Sequence, residues 1–173
     1  MRPEFTVKPI GIVRVSKTDE EVKNSWSGVE GFIEVFPEYA EGLEGLEGFS
    51  HIIVIAYLHK TSEEHRRVLR VRHRRLARLG VDPRLLPEVG VFATDSPHRP
   101  NPIAVTIVEV VELKENRIHV RGLDLFDGTP VLDIKPYTPS RVVPDVKTPK
   151  WYQKLQEVVT KTLGNRYEKP LEP

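Results

Sequence analysis

The feature that most restricts the fold is a series of short β-rich segments with little helical sequence between them. Residues 50–58 (Ser-His-Ile-Ile-Val-Ile-Ala-Tyr-Leu) form a continuous apolar, β-branched run, typical of a strand in the centre of a sheet. Asp127-Gly128 is a strong turn signal before another such run. The expected strands are residues 6–15, 31–36, 50–58, 88–94, 103–113, 118–123 and 131–134. This pattern predicts a mainly β chain forming a small antiparallel or mixed barrel, and the missing alternating helices argue against a Rossmann-type sheet.

Two segments have helical features. Residues 148–163 predict a C-terminal helix, with Thr148 as the cap, Pro149 at the first helical position and Gly164 at the end. We therefore expect a barrel domain over residues 1–145, on which the helix and tail of residues 146–173 pack. Residues 62–79 are ambiguous, because Ser62 and Gly80 could bracket a helix while the alternating arginines between them fit a strand equally well.

The charges are segregated along the chain although the formal net charge is only +1. Residues 19–47 contain nine acidic residues and one Lys, whereas residues 65–78 contain seven Arg, two His and no acid. Such a basic stripe is typical of a surface that binds a phosphate-rich partner. The alternative is that the arginines are solvated or pair with the acidic segment.

Several function classes are disfavoured by what the sequence lacks. It has no Cys, no GxxxxGK[ST] loop, no GxGxxG motif and no HExxH motif, and no His pair has metal-ligand spacing, so no metal site is expected. No apolar run approaches the ~20 residues of a membrane span, and the N-terminus has no apolar signal core. These features predict a cytoplasmic protein that does not contact membranes.

The segment richest in potential chemistry is residues 94–103 (Thr-Asp-Ser-Pro-His-Arg-Pro-Asn-Pro-Ile). Three prolines within six positions fix backbone angles, which predicts a stiff loop able to hold its polar side chains in place. Asp95, Ser96 and His98 raise the alternative of a hydrolase triad, although triad members normally come from distant segments. A purely structural loop is the other alternative.

Carboxylates within apolar sequence mark a second segment, residues 122–137. Asp124 and Asp133 lie in strand-like runs, where a carboxylate needs a partner or a ligand. Each could bind a ligand or pair with one of the many arginines. Asp127 is most simply a turn residue.

Three motifs in the same order carry a resemblance to a known family. Residues 92–103 (Phe-Ala-Thr-Asp-Ser-Pro-His-Arg-Pro-Asn-Pro-Ile) resemble the FATRSPxRPNPI signature of the TsaA-like (TrmO-type) tRNA methyltransferase family. Residues 46–51 and 127–137 resemble two further motifs of that family, and the similarity covers roughly residues 10–137. It implies an S-adenosylmethionine-dependent enzyme on a small β-barrel unrelated to the Rossmann methyltransferases. It also implies a homodimer that methylates the exocyclic nitrogen of threonylcarbamoyl-adenosine beside the anticodon of tRNA.

The resemblance also assigns site residues. Cofactor contacts fall on Ser25, Trp26, Ser27, His59, Lys60, Asp95, Val105, Gly122, Leu123 and Asp124. We expect tRNA contacts from the arginine stripe at Arg72, Arg74 and Arg75, and at the mouth of the site from Arg99, Asn101, Lys135 and Tyr137. No catalytic base is assigned, because several groups could accept the proton of a weakly basic nitrogen.

The chain departs from the family at Asp95, where the family usually has an Arg that helps to hold the cofactor. The reversed charge puts the cofactor pose or the substrate in question, although a carboxylate could bind ribose hydroxyls or an amino group instead. Residues 69–75 are similar to an extended segment of the family, which favours strand or loop after a short helical turn.

Three functions remain open from the sequence. The first is an S-adenosylmethionine-dependent tRNA methyltransferase. The second is a module that binds the cofactor or RNA without catalysis, and the third is a small-molecule hydrolase that uses Ser96 and His98.

Overall fold

The computed structural model describes residues 3–164 and divides the chain into two compact units. We call Met1–Lys60 with Pro102–Arg141 the barrel unit, and Thr61–Asn101 with Val142–Pro173 the basic unit. The predicted domain boundary at residue 145 stays a prediction, and the tail after residue 164 lies outside the described residues. No helix among the described residues is long and apolar enough to cross a membrane.

The described residues form eight strands and four α-helices. The strands are β1 (Gly11–Arg14), β2 (Val29–Val35), β3 (His51–Tyr57), β4 (Arg70–Arg72), β5 (Glu88–Gly90), β6 (Ile103–Lys114), β7 (Arg117–Leu123) and β8 (Pro130–Pro136). The helices are α1 (Asp19–Asn24), α2 (Glu63–Arg66), α3 (Arg74–Arg78) and α4 (Lys150–Leu163).

Six strands close into a barrel in the order β1-β2-β7-β6-β3-β8, and every neighbouring pair is antiparallel. The predicted barrel is therefore confirmed, with the antiparallel arrangement. The central position predicted for residues 50–58 is also confirmed, because β3 pairs with β6 on one side and with β8 on the other.

The barrel core follows from the two-residue period of its strands. On β3, Ile52, Val54 and Ala56 are fully buried, while the residues between them lie on the outer face. Val13 and Ile33 fill the same interior from neighbouring strands. Burial of each Val, Ile or Leu side chain contributes about 1.5–3 kcal/mol to folding, so the inward-facing residues of the alternating pattern stabilise the closed barrel.

Helix α1 was not predicted. It begins with a capping box, in which Thr18 Oγ1 accepts from the Glu21 backbone N–H at 3.3 Å and the Glu21 carboxylate accepts from the Thr18 N–H at 2.8 Å. The Thr18 N–H and hydroxyl, together with the Lys17 ammonium, donate to the Glu21 carboxylate and lower its pKa to about 2. The helix spans six residues and buries only Val22, which is too little apolar periodicity for recognition from sequence.

Residues 61–101 of the basic unit form only short elements, whereas its C-terminal part contains the long helix α4. Its strands β4 and β5 form a two-stranded sheet separate from the barrel, so the expected strand at 88–94 is wrong beyond Gly90, where the chain turns into a 3₁₀ helix at Val91–Ala93. The short helical turn expected after Ser62 is confirmed as α2, and β4 supplies the extended part. Helix α3 follows directly, so the expected strand or loop extends only to Arg72.

The C-terminal helix is confirmed, with a correction at its start. Pro149 is the cap residue, because its extended backbone (ψ 155°) precedes the first turn and its carbonyl accepts from the N–H groups of Tyr152 and Gln153. Thr148 therefore lies outside the helix and does not cap it. Gly164 ends the helix at φ +62°, as expected.

Candidate functional site

One end of the barrel gathers three of the predicted cofactor segments. Strand β2 begins there, β3 ends there before His59 and Lys60, and β7 ends there at Leu123. Val29 of β2 pairs directly with Leu123, which places the loop before Val29 beside the loop after Leu123. The antiparallel order of the barrel thus brings together residues that are about 100 positions apart in sequence.

Two glycines let these loops touch backbone to backbone. Gly28 and Gly122 have φ values of +74° and +89°, and a Cβ built on Gly28 would lie 2.4 Å from the Gly122 carbonyl carbon. Only glycine fits at Gly28, because any side chain would overlap the opposite backbone. The Ser25 hydroxyl donates to the Gly28 carbonyl and closes the turn around Trp26 and Ser27.

Phe126, in the loop after β7, contacts lysines from two other segments, and the sequence did not predict this role. The Lys60 ammonium lies 5.1 Å from its ring centroid and the Lys23 ammonium 5.4 Å, both within cation–π range. Lys60 is also paired with Asp19 of α1, at 2.6 Å between Nζ and Oδ2. The only sequence feature that points to Phe126 is that an aromatic residue follows Asp124 by two positions, and the structure shows this residue partly exposed.

Charge at this end of the barrel is of both signs. The Asp124 side chain is exposed to solvent beyond the end of β7. Loss of solvation and the neighbouring Lys60 ammonium lower the pKa of His59, and Asp19 opposes them without reversing the shift. His59 is therefore neutral at pH 7, and its imidazole has a lone pair available for a hydrogen bond.

Val105 lies on the outer face of the barrel. It pairs with Ile55 across the β3–β6 ladder and its residue surface is 67% exposed. Its outward neighbours on β6, Ile103 and Ile107, are 41% and 42% exposed. Together they form an apolar surface, which we call the β6 face, on the outside of the sheet.

The loop of residues 94–101 belongs to the basic unit and is held by its own hydrogen bonds. The Thr94 hydroxyl donates to the Val91 carbonyl and accepts from the Ser96 N–H, and the Ser96 hydroxyl accepts from the His98 N–H. The Arg99 guanidinium donates to the Thr94 and Ser96 carbonyls at 3.1 and 3.4 Å. These bonds add to the prolines and explain the stiffness expected from the sequence.

This pattern gives one of the two predicted RNA-contacting residues of the loop, Arg99, a structural contact. Arg99 donates its Nη1 hydrogen bonds within the loop, so any contact with RNA would come from its remaining donors. Asn101 is exposed at the end of the loop and is oriented outward from the unit's core.

The hydrolase geometry is not formed. The His98 imidazole stacks on the His65 imidazole, with centroids 3.9 Å apart and planes 3° from parallel, while the Ser96 hydroxyl accepts from the His98 backbone. A triad requires the imidazole to accept from the serine hydroxyl. Burial lowers the pKa of His98, with further lowering by His65 and Arg74.

Asp95 is exposed at the tip of the loop, and its carboxylate affects the pKa of His73. Burial lowers the pKa of His73 and the Asp95 carboxylate partly offsets that shift. The carboxylate at the position where the family has an arginine is therefore open to solvent and to a ligand.

Two members of the arginine stripe pair within the basic unit, and others are exposed to solvent. Arg70 and Arg72 share the Glu88 carboxylate of β5, at 2.9 and 3.3 Å. The acidic segment 19–47 instead pairs with residues of the barrel unit, as Asp19 does with Lys60. Arg74 and Arg75 are exposed on α3, so the alternating orientation expected of an extended segment holds only for Arg70–Arg72.

Lys135 and Tyr137 lie away from the cofactor loops. Lys135 pairs with Ile53 and the Tyr137 N–H donates to the His51 carbonyl, which places both near the start of β3, whereas His59 and Lys60 follow its end. Lys135 is bound to Asp133, at 2.6 Å between Nζ and Oδ2. The expected partner of Asp133 is thus a lysine rather than an arginine.

Comparison with known proteins agrees with this architecture. Residues 21–141 match the tRNA-methyltransferase O N-terminal domain. An S-adenosyl-L-methionine-binding protein of Archaeoglobus fulgidus is 40% identical over 136 residues, covering 77% of this chain and 89% of the relative. A Pyrococcus abyssi relative named "Probable S-adenosyl-L-methionine-binding protein" is 42% identical over 137 residues, covering 76% of this chain and 67% of its own.

A solved structure extends the similarity to the fold. The crystal structure of TrmO from Pseudomonas aeruginosa has a TM-score of 0.61 and 30% identity, covering 86% of this chain and 63% of the TrmO chain. The chain therefore spans less than two thirds of that protein. With the domain match, the relatives and the shared barrel, the chain belongs to the TrmO family.

Proposed function

We propose that this chain is an S-adenosylmethionine-dependent methyltransferase that acts on tRNA. The observation that carries the proposal is the convergence of the loops at residues 25–28, 59–60 and 122–126 at one end of the barrel. These loops contain nearly all cofactor residues expected from the family resemblance, and they belong to a chain of the TrmO family.

The groups at this barrel end fit the cofactor. S-adenosylmethionine has a carboxylate, an ammonium, a sulfonium, two ribose hydroxyls and an adenine ring, so its site needs both charges and an apolar surface. Lys60 supplies a cation, Asp124 supplies an exposed carboxylate, and Val105 supplies an exposed apolar side chain. The close approach at Gly28 leaves backbone groups, rather than side chains, to line the loop contact.

The residues of this chain would bind and orient the reactants. When bound, the cofactor supplies an activated methyl group whose transfer is an in-line displacement. Lys60 would hold the cofactor carboxylate, Asp124 its hydroxyls or ammonium, and the Gly28–Gly122 contact would fix both loops. Asp95, which replaces the arginine of the family, belongs to the basic unit, and its contact with the cofactor stays a prediction from the family resemblance.

The finer proposal is that the acceptor is the exocyclic nitrogen of threonylcarbamoyl-adenosine beside the anticodon. The charge of the basic unit supports an RNA substrate, because its sequence contains 15 Lys and Arg against 9 Asp and Glu, while the barrel unit contains 11 against 16. Arg72, Arg74 and Arg75 would contact phosphates, for which the guanidinium fork is suited. A cytoplasmic location stays a prediction from the sequence.

We also propose a homodimer. The β6 face exposes Ile103, Val105 and Ile107 side by side, and their β3 partners across the ladder are apolar as well. A second copy would cover this surface, and because Val105 lies on it, the same contact would shield the cofactor. Light scattering should give about twice 19.8 kDa, and Ile107→Glu should reduce the mass to that of one chain. A mass of 19.8 kDa for the unmodified chain would contradict the dimer.

A second candidate is a module that binds the cofactor or RNA without catalysis. Asp95 favours it, because the family arginine is missing from the loop, and the two archaeal relatives are named as binding proteins. A module that binds the cofactor would share the cofactor site of the methyltransferase and differ from it only in methyl transfer.

Calorimetric titration with S-adenosylmethionine tests the shared part. We expect binding by the unmodified chain, roughly tenfold or more weaker binding by Asp124→Asn, and no change in Glu38→Gln, whose exposed carboxylate lies in a 3₁₀ helix. Absence of binding by the unmodified chain would overturn the methyltransferase and the cofactor-binding module, and would leave only a module that binds RNA. Equal affinity in Asp124→Asn would remove Asp124 from the site.

A further inference from the structure

We propose that Phe92 is a stacking platform for an unpaired RNA base. This inference rests on the proposed function, since it assumes that the basic unit binds tRNA, and it adds a residue and a mode of recognition to that site. Phe92 lies in the 3₁₀ helix Val91–Ala93, immediately before the loop of residues 94–101.

The first observation is the exposure of the ring. Phe92 is 79% exposed, while Val91 beside it is only 1% exposed. The backbone at Val91 is fixed, because its N–H donates to the Leu69 carbonyl at 3.0 Å and so extends the β4–β5 pairing by one step. Leu69 is itself 60% exposed. An anchored backbone thus presents a large aromatic ring to solvent, and a second exposed apolar residue lies on the adjoining strand segment, an arrangement typical of a binding surface.

The second observation is the charge around the ring. Residues 61–101 contain nine Arg and five acidic residues, and Arg70 and Arg72 of the adjoining strand share one carboxylate, Glu88. An aromatic side chain among arginines suits the binding of single-stranded nucleic acid, because a base stacks on the ring while guanidinium groups bind the phosphates. A symmetric contact with a second copy would instead place arginines against arginines.

The chemistry requires a base outside a duplex. A paired base is already stacked on both faces, so the ring can accept only a base that is splayed out, as in a loop. Phosphate contacts by arginine do not make this distinction. Loss of the ring should therefore weaken binding to a hairpin loop and leave binding to a plain duplex nearly unchanged.

The test compares two RNA probes by fluorescence anisotropy. One probe is a tRNA anticodon stem–loop, and the other is a duplex of the same length without unpaired bases. Phe92→Ala should bind the stem–loop about 5- to 150-fold more weakly and the duplex within twofold of the unmodified chain. Phe92→Trp should restore stem–loop affinity. The matched control is Phe5→Ala in the barrel unit, whose ring is 87% exposed and whose loss should change neither affinity.

The outcomes separate this inference from the proposed function. If the unmodified chain binds the stem–loop and Phe92→Ala binds it equally well, or loses affinity equally for both probes, the stacking role is wrong while the proposed function stands. If Phe92→Ala instead changes the mass measured by light scattering, the ring belongs to a protein contact and the inference is wrong. If the unmodified chain binds neither probe but still binds S-adenosylmethionine, both the stacking role and the tRNA substrate are wrong.

Discussion

Different interactions stabilise the barrel unit and the loop of the basic unit. In the barrel unit, alternating strand residues bury one continuous apolar interior, and long antiparallel ladders satisfy the backbone. In the basic unit, residues 61–101 form strands of three residues and helical turns of four or five, and Thr94 and Ser96 make hydroxyl-to-backbone bonds within the loop, while α4 is a long helix. The barrel unit is thus stabilised by burial, and the loop of residues 94–101 by local hydrogen bonds and proline.

The two units also differ in charge, which suggests a division of work. The acidic barrel unit carries the loops that fit a small zwitterionic cofactor, and the basic unit carries the arginines that fit a polyanion. If this division is right, changes in one unit should affect one ligand and leave the other nearly unaffected. The following predictions test that separation, beginning with the largest effect.

Gly28→Ala should cause the largest loss of stability and of cofactor binding in the barrel unit. The added Cβ would lie 2.4 Å from the Gly122 carbonyl carbon, so the two cofactor loops must separate, at a cost of about 2–4 kcal/mol in the free energy of unfolding together with loss of cofactor binding. The matched control is Gly45→Ala, which has φ +80° but nothing within 4 Å of the new Cβ and should cost only about 1–2 kcal/mol. Urea unfolding and calorimetry measure both, and equal effects of the two variants would contradict a close loop contact.

The triple change Arg72→Ala, Arg74→Ala and Arg75→Ala should damage only RNA binding. Each phosphate contact contributes about −0.7 to −0.9 to the slope of log affinity against log salt, so the slope should flatten by about two to three units. Cofactor affinity should stay the same, because the cofactor loops belong to the barrel unit. A lowered melting temperature with unchanged RNA affinity would show that these arginines only stabilise the basic unit, through pairs such as Arg72–Glu88.

Thr18→Ala tests the loop support in the barrel unit. Removing the cap of α1 should cost about 1 kcal/mol and weaken cofactor binding moderately, because Ser25 follows the helix directly. The depressed pKa of Glu21, about 2, means that the capping interaction is fully present above the ordinary carboxyl pKa and is lost as the pH falls towards 2. Thr18→Ser retains the hydroxyl and should restore stability, and if it does not, the cap is not the cause.

A smaller, pH-dependent effect is expected in the basic unit. The pKa of His98 is lowered by burial, so the unfolded chain binds a proton more readily than the folded one, and stability should be lost as the pH falls below about 6.5. Protonation of His98 would place a cation against the stacked His65 ring. Imidazole signals in NMR titrations should show His98 titrating below the ordinary value, and His65→Gln should reduce the shift. A His98 pKa at or above 6.5 would contradict the stacked arrangement.

The sequence predicts the barrel strands and the long helix α4 much better than the short elements, for a physical reason. The strands of the barrel are long enough for the two-residue period to show, as in β3. The Asp127-Gly128 turn is recognisable from its own residues, because Gly128 has φ +77° and the Asp127 carboxylate accepts from the Val15 N–H. Strands β4 and β5 have three residues each, so no period can be read, and α1 and α3 are too short to show an apolar face.

The candidate site divides in the same way. The family motifs indicate the residue types, and the barrel topology brings the segments at Ser25 and Gly122 together. Phe126 is missed because its role depends on two lysines from other segments, and no local pattern encodes that contact. The position of Lys135, near the start of β3 rather than its end, follows from strand register, which the sequence does not specify.

Methyl transfer to tRNA tests the account most directly. The chain is incubated with S-adenosylmethionine labelled in its methyl group and with tRNA that carries threonylcarbamoyl-adenosine, and the label recovered in the RNA is measured. The account predicts label in this tRNA, none in tRNA lacking the threonylcarbamoyl group, and little with Asp124→Asn. If the chain binds the cofactor and the tRNA but transfers no label, it is a binding module and the proposed activity is wrong.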